Sequence, residues 1–550
     1  MAIRHRDHRA PGELRVCYPA VHMALLLLGV WGVLLLLGLW GLLRGYARDP
    51  SLAPRWPPGP RPLPFLGNLH LLGVTQQDRA LMELSERYGP VFTVHLGSQK
   101  TVVLSGYEVV KEALVGTRQE LADRPPIPIF QHIQRGGGIF FSSGAHWRAA
   151  RQFTVRTLHS LGVRQPPMVG KVLQELACLE RQLDSYGGQP FPLALLGWAP
   201  CNVTFTLLFG QRFDYQDPVF VSLLSLIDQV MVLLGSPGIQ LFNTFPRLGA
   251  LLRLHRPVLS KIEEVRAILR TLLEAHRPPS PSGGPVRSYL EALLQQGQED
   301  DPEDMFDEAN VLACTLDMVM AGTETTAATL QWAVFLMVKH PHVQGRVQEE
   351  LDRVLGPRQL PRPEDQRALP YTNAVLHETQ RYITLLPHVP RCTAADIRLR
   401  GYLLPKGTPV IPLLTSVLLD KTQWATPSQF NPQHFLDADG RFVKRGAFLP
   451  FSTGNLLALS LQGVPSPALA FSSPLQKQAW HPTWCLGFSY RPPGLRWKEP
   501  GQDRALPAVC RPPQAVPSAA PARSQPRRPG SAACPSLHHA ATCPDLVCGA

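Results

Sequence analysis

Residues 23–43 form an unbroken run without a charged side chain, and Leu, Gly, Val and Trp fill most of its 21 positions. As a helix this run would cross about 31 Å of hydrocarbon, so it predicts a membrane anchor. A cleaved signal peptide and a buried core helix are the rival readings. The run is longer than a usual signal core, however, and no small-residue cleavage site comes after it. Further on, two β-rich stretches at 91–96 and 101–104, separated by Gly97-Ser98-Gln99-Lys100, predict a hairpin. Helical periodicity then covers 107–115, 145–160, 169–184, 218–235, 257–276, 308–338, 342–355 and 371–383, with a surface loop over 278–284. The expected fold is mainly α with a small β-sheet subdomain.

Two proline-rich stretches interrupt this pattern. The segment Trp56-Pro57-Pro58-Gly59-Pro60-Arg61-Pro62-Leu63-Pro64 cannot be helical, because proline fixes its own backbone angle and lacks an amide donor. Its place between anchor and globule predicts a stiff spacer that holds a domain off the membrane, with a ligand for a proline-binding partner as the rival. After Gly454, 16 prolines fall in 96 residues, and Ala, Ser and Arg fill the gaps. Such a composition does not bury a core, so 464–550 is expected to be largely disordered, with room for a short helix around 456–461. The chain divides into an N-terminal extension (1–22), the anchor (23–43), a hinge (44–64), a globular domain (65–454) and a tail (455–550).

The net charge is +12, and half of it lies in the tail, where nine Lys or Arg face three acids. The folded part is only mildly basic, and the absence of aromatic-basic interleaving makes nucleic acid its poorest partner class. Arg4, Arg6, Arg9 and Arg15 precede the anchor while Arg44, Arg48, Arg55 and Arg61 come after it, so the charge rule leaves orientation undecided. A start at Met23 would remove the first set and place the domain in the cytosol. The ten cysteines show no disulfide framework. Cys534, His538, His539, Cys543 and Cys548 could supply zinc ligands in the tail, but no C-x-x-C pair supports that. No nucleotide fingerprint appears either, since Gly136-Gly137-Gly138 runs into Ile139-Phe140-Phe141. Asn202-Val203-Thr204 is a glycosylation sequon that only a lumenal domain could use.

The most informative motif is Ala321-Gly322-Thr323-Glu324-Thr325-Thr326, inside the long apolar helix that begins near Asn310. An acid in such a helix is costly without a partner or a task. Glu378-Thr379-Gln380-Arg381 fits E-x-x-R, a pair on one helical face, as do Glu263 with Arg266 and Glu350 with Arg353, which read as solvated pairs. Its position between the acid-bearing helix and Phe430-Asn431-Pro432-Gln433-His434-Phe435 singles out Glu378 and Arg381.

In these motifs, over residues 23–454, the chain resembles a microsomal cytochrome P-450, a haem-thiolate monooxygenase of the family-two drug- and xenobiotic-metabolising type. The resemblance implies haem as cofactor, an NADPH-dependent cytochrome reductase as electron donor, lipophilic small-molecule substrates and an endoplasmic reticulum membrane location. It implies that the Thr325 hydroxyl stabilises iron-bound peroxide and that Glu324 helps deliver protons, and it makes Ala321 and Gly322 a groove beside the cofactor. Glu378 and Arg381 become a structural lock under the haem, while Arg124, Trp147, Arg151 and Arg391 become haem-propionate contacts. Guanidinium groups suit that task through paired hydrogen bonds to carboxylates. The segment 448–454 opens the haem-ligand loop, F-x-x-G-x-x-x-C-x-G, with Phe451 and Gly454 in place. The ligand position, however, is Ala458, and position 460 is Ser. Cys485 heads the sole downstream C-x-G and lies 31 residues past Gly454. The expectation is therefore an oxygenase scaffold without its thiolate, inactive as written. The alternatives are a non-catalytic membrane protein that still binds ligands or partners, and an ordinary active enzyme for which the sequence after Gly454 is in error; a shifted reading frame or a retained intron would produce so abrupt a switch.

Overall fold

Alternating Val, Phe and Thr positions build β1 (Val91–Leu96), which pairs antiparallel with β2 (Gln99–Leu104). The hairpin turn is tighter than expected, with Gln99 and Lys100 already in the second strand. The computed structural model describes residues 56–452, apart from 74–75, 164, 277–285, 298–304, 357–359 and 361, together with the isolated helical positions Gly32 and Leu36. The anchor beyond those two positions, the 278–284 loop, Ala458 and the tail lie outside the described residues. A parallel strand, β6 (Pro409–Pro412), continues the sheet from β2, and β3 (Arg391–Cys392) closes the order β1-β2-β6-β3. A separate two-stranded ladder joins β4 (Ile397–Leu399) to β5 (Tyr402–Leu404).

Helices make up most of the rest, so the architecture is mainly α with a small sheet subdomain. Six of them position the site: α1 (Pro128–Gln134), α2 (Gly144–Ser160), α3 (Trp198–Phe209), α4 (Pro218–Leu234), α5 (Glu308–Lys339) and α6 (Pro370–Ile383). The periodic stretches over 145–160, 218–235, 308–338 and 371–383 correspond to α2, α4, α5 and α6 within a residue or so at each end. Helix α3 has no amphipathic stripe to reveal it, because it is apolar on all sides and buried from Ala199 to Phe205. It ends where Gly210 adopts φ 76°. Its packing against α5 makes the centre of a helical core that includes Phe205, Phe220, Leu223, Leu269, Tyr289 and Leu316. A second core joins the sheet to α6 through Val102, Leu104, Val375, Val410, Leu414 and Phe435.

The proline segment is non-helical, as expected, but it is docked on the sheet and does not stand free. The Thr93 amide donates to Pro58 O (2.7 Å), and its hydroxyl donates to Pro57 O (2.9 Å). Asn68 Nδ2 donates to Arg61 O at 3.2 Å, and the Lys100 ammonium lies 3.7 Å from the Trp56 ring centroid. A side chain at Gly59 would run into the Thr93 carbonyl. The sequon is also spent inside the fold. Asn202 is fully buried, donating to Phe213 O and accepting from the Phe213 amide, so glycan transfer to the folded domain is blocked.

Candidate cofactor site

Strand β3 and the loop ahead of α1 lie side by side, because the Cys392 amide donates to Asp123 O at 2.8 Å. That pairing brings Arg124 and Arg391 together. Both are buried, at 8% and 5% exposure, and Arg124 Nη1 donates to Pro390 O at 2.7 Å. The Nε atoms of both arginines and the indole Nε1 of Trp147 are buried, with no hydrogen-bond partner among the described residues. Burial lowers the Arg124 guanidinium well below its ordinary value, and the neighbouring Arg391 lowers it further. Burial also brings Arg391 down to about 10. Two buried like charges and three unused donors are expensive unless an anion sits between them. The carboxylates of a haem propionate edge supply such a charge, so these residues fit the cofactor. Arg151 lies one turn beyond Trp147 on α2, its guanidinium 6.0 Å from the Trp147 ring centroid. Partial burial lowers its guanidinium below the ordinary value, with Arg118 adding to the shift.

On α5 the Thr325 hydroxyl donates to Ala321 O (2.7 Å), one turn back along its own helix, and Thr329 donates to Thr325 O (2.8 Å). Burial pushes the Glu324 carboxyl up to about 7, and the charge of Asp228 on α4 adds to the rise. A carboxyl poised there can both take up and release a proton near neutral pH. The groove reading for Ala321 and Gly322 is revised in part, since a side chain at Gly322 would meet Thr204 Oγ1 at 2.7 Å and Cγ2 at 2.9 Å. Gly322 thus lets α3 approach α5. Thr204 is tied down by its own bond to Pro200 O at 3.0 Å. Gly322→Ala should therefore lower unfolding stability by about 1 kcal/mol despite alanine's better helix propensity. Adding Thr204→Ala should restore or exceed the original stability. A urea titration showing a stabilised single variant would sink this packing account.

Below α5, the E-x-x-R pair is fully buried and doubly bonded. Arg381 Nε lies 2.7 Å from Glu378 Oε2, and Nη2 lies 2.7 Å from Oε1. The rest of the guanidinium donates to Leu418 O, Pro427 O and Gln429 O, each at 2.8 Å. Glu378 also accepts from the Asn431 amide at 2.8 Å, and His434 Nδ1 lies 3.2 Å from both of its oxygens. Two stretches distant in sequence, at 418 and 427–434, are thereby pinned to one helix. Of the rival pairs, Glu263 and Arg266 form a surface contact at 2.7 Å with Glu263 52% exposed. Glu350 is not solvated as expected: it is buried and accepts from the amides of Tyr371 (2.9 Å) and Thr372 (2.7 Å) at the start of α6.

Sequence reasoning passed over Asp317 and Asn310, although an acid and an amide one heptad apart in an apolar helix are a readable signal. Both reach the glycine turn at 136–140. No group of three potential metal ligands occurs among the described residues.

The cytochrome P450 family profile matches residues 57–455. Mouse cytochrome P450 2W1 is 87% identical over 432 residues, covering 78% of this chain and 88% of that protein. Human cytochrome P450 2W1 is 78% identical over 438 residues, with the same coverage of each chain. Mouse cytochrome P450 2C39 is 40% identical over 406 residues, covering 72% of this chain and 82% of that protein. A profile match over most of the chain and relatives this similar identify it: the protein belongs to the cytochrome P450 family, the haem monooxygenases.

Proposed function

We propose that this chain is a microsomal monooxygenase scaffold that lacks the cysteine thiolate and is therefore inactive as written. The reading is carried by one observation: the family match ends at residue 455, and the ligand position four residues after Gly454 is Ala458. In the intact family a cysteine thiolate on the haem iron pushes electron density toward O–O cleavage. In this chain Arg124, Arg391 and Trp147 would hold the propionate edge, with Arg151 beside them. Glu324 would help deliver protons, the Thr325 hydroxyl would stabilise the bound oxygen, and Glu378 with Arg381 would hold the fold beneath. Electrons would come from an NADPH-dependent cytochrome reductase, and the substrates would be lipophilic small molecules. Residues 23–43 would anchor the protein in the endoplasmic reticulum membrane with its domain toward the cytosol. Residues 455–550 are read as a replaced, largely disordered C-terminus.

The buried Arg124, Arg391 and Trp147 and the doubly bonded Glu378–Arg381 pair support a reading in which the defect lies in the chain after residue 454. Exchanging 455–550 for the corresponding segment of the mouse relative should then restore thiolate-type haem absorbance in the reduced, carbon monoxide-treated protein. Failure of a well-expressed, membrane-bound exchange protein to gain that band would show that the cofactor site ahead of residue 455 is itself incompetent.

A further inference from the structure

Asp317 lies in the first half of α5, two turns ahead of Glu324, and is 6% exposed. One of its oxygens accepts from the amides of Ile139 (2.7 Å) and Phe140 (3.0 Å), and the other accepts from Gln134 Nε2. Asn310, a heptad earlier on the same helix, accepts from the Gly138 amide at 2.8 Å and donates to Met305 O. Gly138 adopts φ 80°, and a side chain there would come within 2.5 Å of Asp317 Oδ2. The glycine run that fails as a nucleotide loop is thus a turn shaped to lie on α5. Burial pushes the Asp317 carboxyl up to about 6, against the pull of its three donors.

The same turn leads into the cofactor arm. Ser142 Oγ donates back to Gly138 O at 2.5 Å, and Ser143 Oγ accepts from the Arg124 amide at 2.9 Å. Helix α2 starts at the next residue, Gly144, and carries Trp147 in its first turn. Hydrogen bonds and the backbone of residues 138–144 together thus connect Asp317 to the amide of Arg124 and the base of α2.

We propose that Asp317, with Asn310, is a positioning residue for the anion-binding side of the cofactor site: it moors the 136–140 turn and thereby sets where Arg124 and Trp147 present their donors. This rests on the haem-scaffold reading but not on the missing thiolate, because the propionate contacts and the iron ligand are supplied by different residues. Asp317→Asn keeps the size of the side chain while removing its charge and one acceptor. Asn310→Ala is a second, independent way to weaken the mooring, useful if the first variant folds poorly.

The test uses the full chain in detergent and two readouts. Hydrogen exchange should rise about tenfold or more at the amides of Gly138, Ile139 and Phe140 in either variant, and by a smaller factor at residues 144–147. Exchange in α6 should stay unchanged. Haemin titration, tracked by haem absorbance, should show about fivefold weaker uptake by Asp317→Asn. That loss should shrink when Trp147→Phe has already removed the indole donor, because both changes act on one contact surface. Unchanged exchange at 138–140, loosening confined to the turn, or fully additive losses with Trp147→Phe would each overturn the proposal. If the parent chain takes up no haemin, exchange at 144–147 decides alone: coupled loosening supports the mooring and its absence refutes it. The thiolate question is read separately, from the carbon monoxide band, so the two readings fail independently.

Discussion

Arg381→Leu is expected to cost about 3–5 kcal/mol of folding stability, because it leaves the fully buried Glu378 carboxylate without its counter-charge. A typical domain has only about 5–15 kcal/mol to lose. The change also strands the carbonyls of Leu418, Pro427 and Gln429, each of which now receives an Arg381 N–H at 2.8 Å. Those carbonyls belong to the segments that carry the chain from the sheet toward Phe448, so the damage should spread to the region just ahead of residue 454. Glu378→Gln should be milder, since a neutral amide can still accept from the Asn431 amide. The double variant Glu378→Leu/Arg381→Leu should cost less than the sum of the two single leucine variants, because neither buried charge is then left alone. Urea unfolding and protease resistance of the membrane-expressed protein measure this. A loss for Arg381→Leu within about 1 kcal/mol of zero, as for an exposed ion pair, would show that the pair does not lock the fold.

The lock is legible in the sequence by context, not by pattern. Among the E-x-x-R pairs, the one flanked by the acid-bearing helix and the Phe430–Phe435 segment is buried and doubly bonded, while Glu263 and Arg266 meet at the surface. The same local view misjudges Glu350, whose partners lie 21 and 22 residues away at the start of α6. Long amphipathic or apolar helices such as α2, α4, α5 and α6 are legible because their periodicity or length is a property of the local sequence. Helix α3 is not, because a helix buried on every side leaves no polar face to set its period.

The candidate cofactor site is legible only as a set of residue types. Arg124, Trp147 and Arg391 are spread over 268 positions of sequence, and what makes them a site is the pairing of Cys392 with Asp123 that brings the two arginines together. Gly322 shows the opposite limit. Its small size reads as room for a cofactor, yet the space is taken by Thr204 of a helix more than a hundred positions earlier. Asp317 shows a third. Its donors at 134, 139 and 140 lie nearly two hundred residues upstream, so the local pattern can flag the acid and its heptad partner but not what they hold.

On the proposed reading, the scaffold ahead of residue 454 is fit to hold haem and the chain beyond it lacks the thiolate. Loss of that ligand would remove the electron push on which oxygen cleavage depends, so its expected effect on turnover is complete rather than partial. This claim is tested most directly by the absorbance of the full-length protein in membranes, reduced and treated with carbon monoxide. The result expected is no Soret band near ~450 nm, whatever haem the membranes retain. A clear band at that position, in protein whose sequence across residues 454–460 has been verified, would show that a thiolate reaches the iron and would contradict the claim.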